Sequence, residues 1–356
     1  MKINKIAKFV IICIATCGGL VLILYAFMPR PNSIKNGFVR NIIPAKAKLE
    51  KVLDTKYTAY YFAGNTDHHI YLGNYSSAMH ILVVNSDLTD TTTYTQHLEK
   101  NEKGAWKLAR LIVDSPTVYI SDGITPAIYR SNLHELSLSK YFERSCFFTS
   151  AINVSPNSFL VKGVKNKENL LLKVTNDSPY VKPMPNVLEK QVDGLFCTDG
   201  TLIIDPETKN LIYLYYYRNE FLKLDTSLNI IYKGHSIDTN RVAQIKIADV
   251  TSHSKRIMSA PPTFVNRSGT IYKNRLYISS ALRADNEQSK EYNKNETIDV
   301  YSLENGEYIN SFYMPKFKGA KAEQYRIVNN RIIAIYEHTL CMYSLPEEIN
   351  DHISIK

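Results

Sequence analysis

The run Leu211–Gly234, LIYLYYYRNEFLKLDTSLNIIYKG, decides the fold class. It contains three stretches rich in aliphatic, β-branched and aromatic residues, which strands favour. Residues 218–219 and 225–228 separate them and have the composition of turns. A further strand-like stretch, Thr201–Ile204, precedes the run across a turn at 205–207. The sequence therefore predicts a unit of four consecutive antiparallel strands.

The same pattern of strands and turns recurs along the chain. It occurs at residues 70–96, 118–142, 159–183, 211–234, 276–282 continued by 297–315, and 332–346. The first residues of these segments are on average about 52 positions apart, close to the length of a propeller blade. We therefore predict an all-β main domain that is a single β-propeller, with six blades as the favoured number. Five or seven blades, or a pair of β-sandwiches, are the alternatives.

The last repeat ends after two strands, which would leave a sheet edge open. The strand-like stretch Thr58–Ala63 precedes the first repeat and has no unit of its own. We predict that it joins the last blade, so that segments from both ends of the chain close the ring.

An uncharged apolar run, Phe9–Met28, lies near the N-terminus. As a helix, its twenty residues span roughly the 30 Å hydrocarbon core of a bilayer. We predict a transmembrane anchor; a cleaved signal sequence and lipidation at Cys17 are the alternatives. A short tail before the anchor and a large domain after it are typical of a signal-anchor. This arrangement predicts that the main domain is extracytoplasmic, on the periplasmic side of a bacterial inner membrane.

The positive charge of the chain is concentrated at its N-terminal end. Residues 1–51 contain nine Lys or Arg and one acid, whereas residues 52–356 contain 34 basic and 33 acidic residues. A nearly neutral main domain argues against a nucleic-acid partner. The predicted divisions are a short tail at 1–8, the anchor at 9–28, a basic stalk at 29–55, the propeller at 56–346 and a tail at 347–356.

These features together resemble uncharacterised, membrane-anchored bacterial proteins with one N-terminal helix and a six-bladed, TolB-like β-propeller. The resemblance covers residues 56–346 and is carried by the blade pattern. It implies an extracytoplasmic binding or interaction role and supplies no catalytic residues.

The sequence offers two sets of candidate contact residues. Asp67 and His69 are two positions apart, so in a strand they would face the same side; a polar turn is the favoured interpretation, and no metal site is predicted. The second set lies in the polar insert 283–296, because loops of a propeller line a face where partners bind. Its members are Arg283, Asp285, Glu287, Lys290 and Tyr292.

The chain contains no His-Glu-x-x-His, Gly-x-Ser-x-Gly, phosphate-loop or dinucleotide motif. We therefore predict no cofactor and no catalytic residues. The favoured function is a membrane-anchored module that binds a protein, peptide or glycan or acts as a scaffold. A propeller-type lyase or hydrolase with a site in the central channel is the alternative. A Golgi-like transferase shares the anchor topology but would need an Asp-x-Asp triplet, which the sequence lacks.

Overall fold

The structure is a computed structural model that describes residues 5–27, 35–99, 106, 108–143, 146–250 and 255–347. The chain divides into two compact units, Met1–Asn36 and Gly37–Lys356. Residues 1–4 of the predicted N-terminal tail and residues 348–356 of the predicted C-terminal tail lie outside the described residues.

The first unit contains helix α1 (Lys5–Phe27). Its segment Ile6–Phe27 has a mean hydropathy of 2.6, and in the described part of the chain it is the one helix long and apolar enough to cross a membrane. A signal sequence near the N-terminus has the same properties. The helix contains the predicted span except Met28, which is not among the described residues.

The second unit begins with β1 (Leu49–Asp54), and its remaining strands follow in chain order. Blade 1 contains β2 (Tyr60–Asn65), β3 (His69–Asn74), β4 (His80–Asn85) and β5 (Thr91–Thr95). Blade 2 contains β6 (His97–Leu98), β7 (Arg110–Asp114), β8 (Thr117–Asp122), β9 (Ala127–Asn132) and β10 (Ser137–Glu143). Blade 3 contains β11 (Phe148–Ser155), β12 (Ser158–Lys165), β13 (Glu168–Thr175) and β14 (Val181–Met184).

Blade 4 contains β15 (Gly200–Ile204), β16 (Leu211–Tyr215), β17 (Glu220–Leu224) and β18 (Ile230–His235). Blade 5 contains β21 (Asn266–Tyr272), β22 (Arg275–Ser280), β23 (Asn295–Ser302) and β24 (Tyr308–Pro315). Blade 6 contains β25 (Gln324–Val328), β26 (Arg331–Tyr336), β27 (Thr339–Ser344) and β1. A separate hairpin of β19 (Ile247–Val250) and β20 (Lys255–Met258) follows blade 4, and a short helix, α2 (Ser289–Lys294), lies within blade 5.

The blades form a closed ring of six. The first strands of successive blades, β2, β7, β11, β15, β21 and β25, each contact the next, and β25 contacts β2. These six strands therefore surround the central axis. The prediction of a six-bladed propeller is confirmed, and the β-sandwich alternative is wrong because the described strands form small sheets around an axis instead of two facing layers. The six predicted repeats correspond to the strands that follow the innermost strand of each blade.

Both faces of each blade are buried against neighbouring blades. In β16, Leu211, Tyr213 and Tyr215 pack with blade 3, whereas Ile212 and Leu214 pack with blade 5. All five residues of the strand are buried. This explains why the run LIYLY is continuously apolar instead of alternating with polar residues. Tyr213 and Tyr215 therefore contribute to the packing between blades.

The strand that closes the ring differs from the predicted one. Strand β1 pairs antiparallel with β27, with Val52 opposite Cys341, and forms the outermost strand of blade 6. Thr58–Ala63 was the predicted closing strand, but Tyr60–Asn65 is instead the innermost strand of blade 1. Residues assigned to a stalk therefore include a strand of the ring. The error arose because β1 is largely exposed, so its sequence LEKVLD lacks an apolar run.

The connections between strands give the ring two unlike faces, because successive antiparallel strands turn alternately at opposite ends. One face, here called the turn face, carries the turns from first to second and from third to fourth strands, and these contain at most six residues. The opposite face, the loop face, carries all other connections. Its longest connections are residues 96–109, 185–199, 236–265 and 281–294.

Candidate functional site

Exposed large apolar side chains are concentrated on the loop face. They include Tyr57, Tyr75, Ile124, Phe147, Val242 and Phe264. Among the described residues, the exposed large hydrophobic side chain on a turn of the opposite face is Tyr180. Apolar side chains exposed on one face of a folded domain are available to contact a partner.

The long loops of this face are held together by their own packing. A small buried cluster joins three connections of this face: it contains Cys197 from the first, Tyr217 from the second, and Ala243 and Ile245 from the third. The side chain of Gln191 donates a hydrogen bond to the carbonyl of Arg241 at 2.8 Å and accepts one from the backbone N–H of Ala243 at 2.9 Å. These contacts order the surface before any partner binds, which lowers the entropic cost of binding.

The polar insert contacts the N-terminal segment of the ring unit. Arg40 is buried, and its guanidinium forms a bidentate pair with Asp299 at 2.7 and 2.9 Å and an ion pair with Glu287. Glu287 also accepts hydrogen bonds from the Thr297 hydroxyl and the Ala284 backbone N–H. Burial would lower the pKa of Arg40, but the nearby carboxylates outweigh it and raise the pKa above its ordinary value.

The predicted contact residues of the insert therefore have different environments. Asp285 accepts a hydrogen bond from the Gly37 backbone N–H at 3.1 Å, and Arg283 donates to the Ser289 hydroxyl. Tyr292 is half-buried, and its hydroxyl donates to the Ala281 carbonyl at 2.6 Å. Lys290 is exposed. The prediction that Glu287 contacts a partner is corrected, because its carboxylate is enclosed against Arg40 in this structure.

Asp67 and His69 lie on the opposite side of the ring from the insert. Both are exposed, at the turn between β2 and β3, which belongs to the turn face. The Thr66 hydroxyl oxygen accepts a hydrogen bond from the His69 backbone N–H at 3.0 Å, as expected for a polar turn. Over the described residues, no group of three or more His, Cys, Asp or Glu side chains could hold a metal ion. The two sets of candidates thus belong to different faces.

The mouth of the channel on the loop face is lined by basic and aromatic residues. Arg110 is the first residue of the innermost strand β7, at its loop-face end, and Arg326 is the third of the five residues of the innermost strand β25. Lys162 forms a salt bridge with Asp199 at 2.7 Å and donates to the Gly200 carbonyl at 3.1 Å. Part of the charge at this mouth is therefore paired within the chain.

Lys321 follows blade 5 on the same face. Burial, reinforced by the positive charge of Arg267, lowers its pKa to about 8. Its ammonium lies 5.1 Å from the centre of the Tyr292 ring.

The carboxyl groups with shifted pKa values lie away from the channel. Hydrogen bonds from Lys233 and from Lys46 lower the pKa values of Glu189 and Glu291, respectively; Glu189 lies in a loop and Glu291 in helix α2. A glycoside-cleaving pair of carboxyl groups would instead need one member with a raised pKa. Glu189 and Glu291 therefore do not fit the acid of such a pair.

Sequence reasoning missed Arg40, Arg110 and Arg326. Arg40 was counted only as part of a basic segment, and its carboxylate partners lie 247 and 259 residues later. The other two lie on innermost strands, β7 and β25, that precede the predicted repeats and were not among the predicted segments.

Comparison with known proteins gives a structural likeness without a family. No protein-family model matches the chain, and no curated protein matches it. A crystal structure of a DUF4221 family member from Bacteroides vulgatus is similar, with a TM-score of 0.51 and 11% identity over 84% of this chain and 97% of that chain. The Pan2 WD40 domain of Neurospora crassa has a TM-score of 0.47 and 9% identity over 86% and 98% of the two chains. At these identities the comparison with the Bacteroides protein shows the fold alone.

Proposed function

We propose that this protein is a membrane-anchored binding module that recognises a protein, peptide or glycan through the loop face of its propeller. The observation that supports this most is the concentration of exposed apolar side chains on that face, together with long, mutually packed loops. Scattered surface hydrophobics would be distributed over both faces. The turn face offers short turns and little apolar surface.

The proposed location depends on the helix. Helix α1 serves as an anchor that is retained, and the propeller lies on the periplasmic side of a bacterial inner membrane. The length and apolar character of the helix and the large unit that follows it support this placement. The proposed partner is therefore an extracytoplasmic molecule.

Site-specific photocrosslinking tests the choice of face. A photoreactive phenylalanine analogue replaces Ile124, Phe147 or Phe264 in the full chain, produced in its native cells. We expect discrete crosslinked adducts from these positions, because each is exposed on the loop face.

The matched controls carry the same analogue at Glu207 and Glu304, which are exposed on the turn face. We expect no adduct from them. Adducts of similar yield from both faces, or from the turn face alone, would contradict the proposed function.

A further inference from the structure

The channel mouth on the loop face holds two arginines on either side of one strand. Tyr61 and Phe62 are consecutive residues of β2 and pack towards blade 2 and blade 6, respectively. The Arg110 guanidinium lies 5.9 Å from the centre of the Tyr61 ring, and that of Arg326 lies 5.4 Å from the Phe62 ring. The two guanidinium groups thus lie on opposite sides of the innermost strand of blade 1.

Tyr75 connects the two sides of this arrangement. Arg110 lies 4.4 Å from the centre of the Tyr75 ring, and the Tyr75 hydroxyl accepts a hydrogen bond from the Gln324 side chain at 3.1 Å. Gln324 in turn accepts a hydrogen bond from the Phe62 backbone N–H at 3.2 Å. The side chains next to the two arginines in this arrangement are therefore aromatic rings and one amide, and none of them carries a negative charge.

Both guanidinium groups retain most of their hydrogen-bonding capacity. Arg110 donates one hydrogen bond to the Ala109 carbonyl at 2.8 Å, and Arg326 donates one to the Tyr325 carbonyl at 3.0 Å. A guanidinium has five N–H donors. Among the described residues neither group has a carboxylate partner, although both are half-buried and burial lowers the pKa of Arg326.

Two fully buried arginines of the ring are paired with carboxylates. Arg40 is neutralised by Asp299 and Glu287, and the buried Arg218 pairs with Glu220 at 3.2 Å. Removing a charge from water without a partner is costly, so enclosed cations are ordinarily paired. Arg110 and Arg326 have no carboxylate partner within the described residues, and a ligand can supply a negative charge to them.

We propose that Arg110 and Arg326 form a binding site for an oxyanion, a carboxylate or phosphate group of the ligand. Guanidinium groups bind such oxygens by paired, charge-assisted hydrogen bonds. The rings of Tyr61, Phe62 and Tyr75 form the apolar surroundings that strengthen these bonds. This inference rests on the proposed function and specifies the chemistry of the ligand at the loop face.

Titration of the full chain in non-ionic detergent with inorganic phosphate and, separately, with acetate tests the site. Chloride keeps the ionic strength constant, and calorimetry measures binding. We expect saturable binding of at least one anion by the wild type. We expect roughly tenfold weaker binding in Arg110→Gln and in Arg326→Gln, because each removes charge-assisted hydrogen bonds. The better-bound anion identifies the group as phosphate or carboxylate.

Arg130→Gln is the matched control, because Arg130 also stacks on a tyrosine, 5.3 Å from the centre of the Tyr141 ring, but lies on a strand away from the innermost one. It should bind as the wild type does, and Arg326→Lys should retain part of the affinity. Absence of saturable binding by the wild type, or equal binding by the glutamine variants, would overturn the inference. Loop-face crosslinks that persist in that case would leave the proposed function standing.

Discussion

Arg40 carries a fully enclosed charge where the N-terminal segment joins the ring. Its side chain and that of Glu287 are fully buried, and the Asp299 side chain is nearly so. Such a cluster costs desolvation energy that the ion pairs and additional hydrogen bonds offset. Removing one member leaves the others buried without compensation.

Arg40→Ala is expected to lower the free energy of unfolding by about 3–5 kcal/mol, because two carboxylates then remain buried without a cation. Urea unfolding of the full chain in detergent measures this loss. Arg331→Ala is the control: Arg331 also contacts two carboxylates, Glu50 at 3.0 Å and Asp87 at 3.2 Å, but all three side chains are exposed. Its loss should be about 0–1 kcal/mol. Similar losses in both variants would contradict the account.

At this scale the sequence predicted the wrong environment for Glu287. A charged residue in a polar insert is ordinarily solvated, so Glu287 was a candidate for contact with a partner. The carboxylate instead turns inwards to a guanidinium from a segment 247 residues earlier. Amino-acid composition indicates local polarity only. An ion pair between residues so far apart in the sequence forms only when the ring closes.

The innermost strands β2 and β7 approach each other closely enough to require glycine. A side chain at Gly64 would place its Cβ 2.1 Å from the backbone oxygen of Val113. Gly64→Ala should therefore force the strands apart and lower the free energy of unfolding by roughly 1–3 kcal/mol. Chemical unfolding measures the change. Thr92→Ala, on the exposed outermost strand of the same blade, should cost less than about 1 kcal/mol. If Gly64→Ala lowers the free energy of unfolding no more than Thr92→Ala does, strands β2 and β7 are not in contact.

Strands buried on both faces could be predicted from the sequence, and exposed outer strands could not. The second strands of all six blades begin within one residue of the predicted starts of the repeats. Each is enclosed by two neighbouring blades, so each is a continuous apolar run. Strand β1 pairs on one edge and is largely exposed, so its sequence can contain Lys and Glu. Its composition therefore resembles that of the basic segment before it, and it is not recognisable as a strand.

The ring as a whole depends on six similar interfaces, each formed by apolar residues from two adjacent blades. No blade buries both of its faces alone, so loss of one contact weakens the whole circle. Closure by β1 also places the N-terminal segment next to blade 5, where the Ile43 backbone N–H donates to the Ser311 carbonyl at 2.9 Å. The loop face, and with it the proposed site, exists only when the circle is complete.

The most direct test of this closure is a disulfide across the β1–β27 pair. Val52 is opposite the native Cys341, and paired Cα atoms in antiparallel strands lie roughly 4.5–5.5 Å apart, within the range that a disulfide bridges. The account predicts that mild oxidation of Val52→Cys links residues 52 and 341, identified by mass spectrometry of the linked peptides. Lys51→Cys, whose side chain points to the other face, should remain unlinked. A thiol that stays reduced at position 52 under these conditions, or equal linkage from position 51, would contradict the closed six-bladed ring.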